Sequence, residues 1–365
     1  MDPQLPPTPE MLTDVANARR LVALWSKDLR YVHKLKQWRV WDGDRWLADE
    51  SGRIYGLAKD AARSYLADAR DEEDKRRRES LIEHAEASER LGAIEAMIKL
   101  AQDEPGIPIA PDRFDADPMI FAVANGVIDL RNGEARRSRR EDYLTKGSPV
   151  TYDPQATCPQ WEAFLARIMA GNRELIAYLQ RVAGLCLTAD VSVQELFILY
   201  GSGANGKSVF LDLLLYILAD YATPAPDSLL TIRSHNEHAT EMADLQGRRL
   251  VVASETEEGA RLKVQKVKQL TGDSVLKGRF MRKDFFDFPR THKLLMVTNH
   301  RPRIDDTGNA IWRRIRLIPF GVTIPPEGQD PRLLEKLKAE ATGILRWMVE
   351  GCLAWQREGM SPRPR

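Results

Sequence analysis

Cysteine is scarce in this chain: Cys158, Cys186 and Cys352 stand far apart and form no C-x-x-C pair. That spacing gives neither a disulfide framework nor a cysteine-based zinc site, and it suits a reducing compartment. No stretch reaches the roughly 18 apolar residues of a membrane span, and the start, Met1-Asp2-Pro3-Gln4-Leu5-Pro6-Pro7, is no secretory leader. The expectation is a cytoplasmic chain without membrane anchorage. Charge of one sign is also missing, since 54 Lys and Arg stand against 53 Asp and Glu, a net of +1. A nucleic-acid partner would have to be met by locally concentrated basic residues. Internal repeats and low-complexity tracts are absent, while 43% hydrophobic and 29% charged residues match an ordinary globular protein. The 365 residues are enough for two or three compact units.

Four prolines among the first nine residues lead into a helical pattern from Met11 to Leu24, so residues 1–34 read as an arm. In Trp38-Arg39-Val40-Trp41-Asp42-Gly43-Asp44-Arg45-Trp46 a D-G turn joins aromatic, strand-forming segments into a hairpin whose tryptophans are core candidates. From Ile54 to Gln102 the pattern is helical, with a mixed-sign run from Asp71 to Glu79 that suits a solvated face. Pro105, Pro108 and Pro111 interrupt it. Short paired strands follow around Phe121–Val123 and Val127–Leu130, completing an α+β domain over 35–155. Arg136-Arg137-Ser138-Arg139-Arg140 is either a phosphate-backbone contact or an exposed loop. Apolar residues at helical spacing over 156–190 then form a helical collar.

Leu196-Phe197-Ile198-Leu199-Tyr200 is a buried strand in pattern, and it runs directly into Gly201-Ser202-Gly203-Ala204-Asn205-Gly206-Lys207-Ser208 and an apolar helix from Val209. The order strand, G-x-x-x-x-G-K-S, helix is that of a phosphate-binding loop. Glycines let the backbone approach the phosphates, and N–H groups at the helix start meet their oxygens. Lys207 would reach the β- and γ-phosphates and Ser208 would ligate Mg²⁺, with Gly201 to Val209 forming the cradle for ATP. Chance supplies the bare pattern in about one chain of this length in a hundred, so it carries information by itself.

Two further strand patterns end in polar residues. Arg248 to Ser254 delivers Glu255, the candidate base and Mg²⁺ ligand, with Glu257 and Glu258 as competitors. Leu294 to Thr298 delivers Asn299, which could orient water or touch the γ-phosphate. Arg313-Arg314 precedes Ile315 to Phe320, and such a pair could stabilise transition-state charge. His235-x-x-His238 lacks companions for a metal site, and Asp305-Asp306 suits an ordinary turn.

Together GSGANGKS, RLVVASETEEG, the Lys268–Phe280 stretch KQLTGDSVLKGRF, KLLMVTNHRP and WRRIRLIPF resemble superfamily three helicases of the AAA+ class. More narrowly they resemble the helicase part of phage, plasmid and poxvirus primase-helicases. Upstream, FAVANGVIDLRNGE, TYDPQATCPQWEAF and LQRVAGLCL look like the domain preceding the helicase in those proteins, so the resemblance covers roughly 35–358. It implies an α/β fold, a P-loop AAA+ core over 191–322 with a C-terminal helical segment over 323–365. It further implies an ATP-driven DNA helicase in the replication of a phage or mobile element. In that reading the chain forms a homo-oligomeric ring, hexameric in the family, and acts on single-stranded or forked DNA beside a separate primase or polymerase.

The resemblance also assigns roles. An arginine finger is given to the neighbouring subunit's site, Arg314 matching best and Arg313 second. A hairpin between the second and third strands holds DNA through Lys277, Arg279, Arg282 and Lys283, with Phe280 and Phe285 beside them. Two departures shape the expectation: no primase domain precedes Trp38, so no primer synthesis is expected, and the chain stops at Ser361-Pro362-Arg363-Pro364-Arg365 without a further DNA-binding domain. The alternative is a ring-forming nucleic-acid-binding or regulatory protein that uses ATP for assembly without separating strands.

Overall fold

The computed structural model describes residues 11–226, 229–232, 239–255, 259–281, 284–306 and 308–361. The chain divides into two compact units, Met1–Ala116 with Ser138–Thr145, and Asp117–Arg137 with Lys146–Arg365. In the first, α1 (Asp14–Trp25) starts at Thr13, whose hydroxyl accepts the Ala16 N–H at 3.2 Å. An antiparallel sheet follows, β1 (Leu29–Val32), β2 (Gln37–Trp41) and β3 (Trp46–Ala48). The turn is closed by Asp42, whose carboxylate accepts the N–H groups of Asp44 and Arg45 at 2.8 and 2.6 Å. Trp38, Trp41 and Trp46 are all buried, as core residues should be.

The helical stretch is three helices, α2 (Arg53–Asp71), α3 (Lys75–Ser88) and α4 (Leu91–Ala101). The break falls within the charged run because the Asp74 carboxylate caps α3, accepting from Arg77 N–H at 2.8 Å. The expected arm over 1–34 differs from what forms. Leu21 of α1 and Leu29 of β1 lie in one core with Trp38 and Met97, since β1 pairs along its whole length with β2.

The second unit opens with another meander, β4 (Ile120–Val123), β5 (Gly126–Asp129) and β6 (Glu134–Arg136). The expected domain over 35–155 thus contributes to both units. The segment from Ser138 belongs to the first, where Leu144 accepts the Trp46 N–H at 2.8 Å and Asp115 holds the Thr145 N–H at 2.9 Å. Next come α5 (Pro159–Ile168) and α6 (Arg173–Cys186).

The centre is built from β7 (Leu196–Tyr200), α7 (Lys207–Leu218), β8 (Ala222–Ala225), α8 (Ala239–Ala243), β9 (Leu250–Glu255) and α9 (Val264–Gly272). It continues through the hairpin β10 (Val275–Arg279) and β11 (Phe285–Pro289), then β12 (Lys293–Thr298), α10 (Asn309–Trp312) and β13 (Ile315–Pro319). Five of these strands form a parallel sheet in the order β13-β7-β12-β9-β8. Both of its faces are covered, which explains the uninterrupted apolar runs. Phe197 and Leu199 meet α5, α6 and the terminal helix α11 (Ala341–Glu358), whereas Leu196 and Ile198 meet α9 and the hairpin anchors Leu276 and Phe288. Among the described residues no helix is long and apolar enough to cross a membrane.

Candidate functional site

Parallel pairing puts the carboxyl ends of three neighbouring strands at one level: Tyr200 stands opposite Thr298, and Thr298 opposite Glu255. Open parallel sheets bind their ligands at this edge. From Tyr200 the chain loops through Gly201–Gly206 into α7, which begins at Lys207. Gly206 precedes the helix with φ +83°, and a Cβ there would lie 2.7 Å from Ile168 Cγ2 and 3.0 Å from the Phe164 ring. Only glycine meets both demands. Gly201 is equally confined, because a Cβ would come within 2.2 Å of the Phe320 carbonyl oxygen.

Lys207 is 4% exposed, and its Nζ donates to Gly201 O at 2.5 Å and to Asn205 Oδ1 at 3.1 Å. The amide of Asn205 in turn donates to Phe320 O at 3.0 Å, so the exit of β13 fixes the loop that fixes the lysine. Burial pushes the Lys207 ammonium below the usual lysine range. A buried ammonium with no carboxylate at hand among the described residues, next to the N–H groups of a helix start that has no side-chain cap, is suited to an anionic phosphate chain. Ser208 is exposed in the first turn of α7.

A cavity of about 710 Å³ opens here, lined by Gly203 to Val209, by Ser254 from β9, and by Thr298 at the end of β12 with Asn299 just after it. The structure therefore gathers the phosphate loop and Asn299 into one site. Glu255 ends β9 beside Thr298, but its side chain lies outside the described residues, as do Glu257, Glu258, His235 and His238. The remaining wall was not foreseen. It consists of Gln160, Ala163, Phe164 and Arg167 on one face of α5, and of Ile324, Gly328, Gln329, Asp330 and Leu333 from the segment after β13. The spacing i, i+3, i+4, i+7 on α5 was the one signal for it in the sequence.

The two arginines of the pair have different surroundings. Arg314 is only 9% exposed and is committed inside its own chain, donating to Thr271 Oγ1 at 3.1 Å, Ala310 O at 2.9 Å and Gln194 Oε1 at 3.3 Å. Arg313 is exposed, and its guanidinium has no partner among the described residues. The cause is local: α10 is a single turn ending at Trp312, and β13 begins at Ile315, so consecutive side chains leave on opposite sides.

Lys277 and Arg279 lie on the exposed face of β10, Arg279 at 4.8 Å over the Phe285 ring and Lys277 4.0 Å from Asp287. Phe280 stacks on Phe286 at 5.1 Å, and Met281 beside it is 77% exposed. Arg282 and Lys283 lie outside the described residues. In the arginine-rich loop Arg140 is held by Asp28 at 2.6 Å and lies over the Trp41 ring, so it is already engaged. Asp306 closes a turn onto Gly308 N–H at 2.7 Å and pairs with Lys268 at 2.7 Å.

Comparison with known proteins agrees with this architecture. Residues 18–170 match the family described as D5 N terminal like, and residues 199–314 match a family of unknown function, DUF5906. A protein of Acanthamoeba polyphaga mimivirus named a putative helicase is 28% identical over 212 residues, which are 56% of this chain and 22% of that protein. The putative helicase 184R of Invertebrate iridescent virus 6 is 27% identical over 253 residues, 66% of this chain and 26% of that one. Primase D5 of Fowlpox virus is 27% identical over 154 residues, 41% of this chain and 19% of that one. The chain thus spans about a fifth to a quarter of these relatives. Among solved structures the apo C terminal region of NrS-1 has the same fold, with a TM-score of 0.57 at 12% identity, covering 91% of this chain and 69% of that one.

The fold is a mixed α/β one, a core built on a five-stranded parallel sheet preceded by an N-terminal domain. The chain carries a D5 N terminal like domain over residues 18–170 and a DUF5906 region over residues 199–314, and it is similar to viral proteins named putative helicases.

Proposed function

We propose that this chain is an ATP-driven DNA helicase or translocase of a replicating phage or related mobile element, hydrolysing ATP between subunits of a ring. One observation carries the reading: a single cavity is lined by the phosphate loop with Lys207, by Ser254 next to Glu255, and by Asn299. The helicase names of the relatives support the coupling of that site to DNA.

In this reading the α7 N-terminus and Lys207 bind the triphosphate, and Gly201 O with Asn205 Oδ1 keeps the ammonium aimed. Ser208 and Glu255 would hold Mg²⁺, which when bound would supply positive charge to offset that of the phosphates. Glu255 accepts the proton of the attacking water, and Asn299 orients that water. Arg313 of one subunit completes the site of the next. Lys277, Arg279 and the aromatic tip of the hairpin grip single-stranded DNA by phosphate contact and stacking.

Lys207→Ala tests the base of this reading. ATP hydrolysis and forked-duplex unwinding are expected to vanish with the fold retained by circular dichroism. Normal hydrolysis by that variant would overturn it. DNA-stimulated hydrolysis and DNA retention without strand release would instead point to the assembly-only alternative.

A further inference from the structure

The cavity has a second half that the phosphate chemistry leaves unused. Phosphates entering at the α7 N-terminus meet Lys207 and Ser208, and Ser254 with Asn299 closes the strand end. The nucleoside must then lie against α5 and the strap of residues 324–333 that follows β13. That strap is fastened at two points: Ile324 N–H donates to Ala204 O at 2.7 Å, and Arg167 donates to Gly328 O at 2.9 Å. Ala163, Phe164, Ile324 and Leu333 supply apolar surface for a flat base.

Two side-chain amides in this half are already oriented. Gln160 Nε2 donates to Glu340 Oε1 at 3.1 Å, and Gln329 Nε2 donates to Ile324 O at 2.9 Å. A carboxylate and a carbonyl can only accept, so the nitrogen of each amide is identified without ambiguity. Each Oε1 is left as an acceptor with no donor among the described residues. Asp330 adds only acceptors, its carboxylate held by Lys336 at 2.5 Å and Arg332 N–H at 2.9 Å.

From this, and resting on the nucleotide reading above, we infer that Gln160 and Gln329 select nucleobases that carry an amino group rather than a carbonyl at purine C6 or pyrimidine C4, adenine over guanine and cytosine over uracil. An amino group donates to the amide oxygens. A base carbonyl in the same place sets acceptor against acceptor and leaves both without a hydrogen bond. Arg167 is the donor-rich group of this wall, and its bond to Gly328 O assigns it to fastening the strap rather than reading the base.

The test is equilibrium binding to the full chain, with Mg²⁺, of ATP, GTP, CTP, UTP, purine riboside triphosphate and inorganic tripolyphosphate. ATP is expected to bind about tenfold tighter than GTP, which has a carbonyl at C6, or the purine analogue, which has no group there, and CTP about tenfold tighter than UTP. In Gln160→Leu/Gln329→Leu these ratios should collapse towards one while tripolyphosphate binding is unchanged. Equal affinity for all bases, or preference for GTP and UTP, overturns the inference and transfers base reading to Arg167. If tripolyphosphate still depends on Lys207 in that case, the phosphate site stands and only the base assignment falls. If Lys207→Ala leaves ATP and tripolyphosphate binding untouched, the nucleotide reading fails and this inference with it.

Discussion

At the scale of the residue, the strand, glycine-rich turn and helix around Lys207 were legible because their pattern is local. Eight consecutive residues carry the glycines, the lysine and the hydroxyl, and the flanking strand and helix follow directly. The different exposure of Arg313 and Arg314 was not legible, since adjacent residues at a helix-to-strand junction differ only in which way the backbone turns them. The two make opposite predictions. Arg313→Ala should lower ATP turnover by about 10³-fold in the assembled protein with nucleotide affinity nearly unchanged, as fingers acting in trans do. Arg314→Ala removes the donor to Thr271, Ala310 and Gln194 and should lower stability by about 1–3 kcal/mol, read from the denaturant midpoint. Turnover lost in Arg314→Ala at native stability, with Arg313→Ala intact, would return the finger to Arg314.

At the scale of the element, the helices and sheet strands were visible in periodicity, whereas the far wall of the cavity was not. Its two parts, α5 and the strap, lie about 160 residues apart in the chain, and only packing brings them together. The hairpin β10–β11 shows why alternation matters. Leu276 and Phe288 anchor it in the core, and the same pleat turns Lys277 and Arg279 outward. Arg279→Ala should weaken single-stranded DNA binding and reduce the slope of log affinity against log salt by about 0.7 for each phosphate it ceases to neutralise. Basal ATPase should survive. An unchanged slope would move the grip elsewhere, with Arg137 and Arg139 the next to test.

At the scale of the whole molecule, the boundaries were the least legible feature. The chain leaves the first unit at Ala116 and returns to it at Ser138 for eight residues before the second unit resumes, an excursion that a linear reading cannot see. Within the second unit the sheet is pinned to the end of α6 and to β4 by buried cations: Arg249 donates to Leu187 O and to Ile120 O, and Lys293 to Thr188 O. Such groups suit the carbonyl end of a helix. Burial lowers the Lys293 pKa to about 7. An unfolded lysine keeps its proton to about pH 10.4, so between these values the unfolded chain binds more protons and stability rises with pH. Below about pH 7 both states are protonated and that contribution is flat. Urea midpoints at pH 7 and pH 8.5 should therefore rise more in the native chain than in Lys293→Met. Equal slopes would show that Lys293 does not titrate there.

Hydrolysis between subunits is the claim on which the functional reading turns, and mixing tests it most directly. Lys207→Ala subunits retain the finger and lack the phosphate lysine, while Arg313→Ala subunits lack the finger and retain the lysine. Each alone should be inactive. Mixed assemblies place some intact lysines against intact fingers, so ATPase should reappear and peak at intermediate ratios. If mixed assemblies form and no ratio recovers activity, or if Arg313→Ala alone hydrolyses ATP normally, the site is complete within one chain and the account is contradicted.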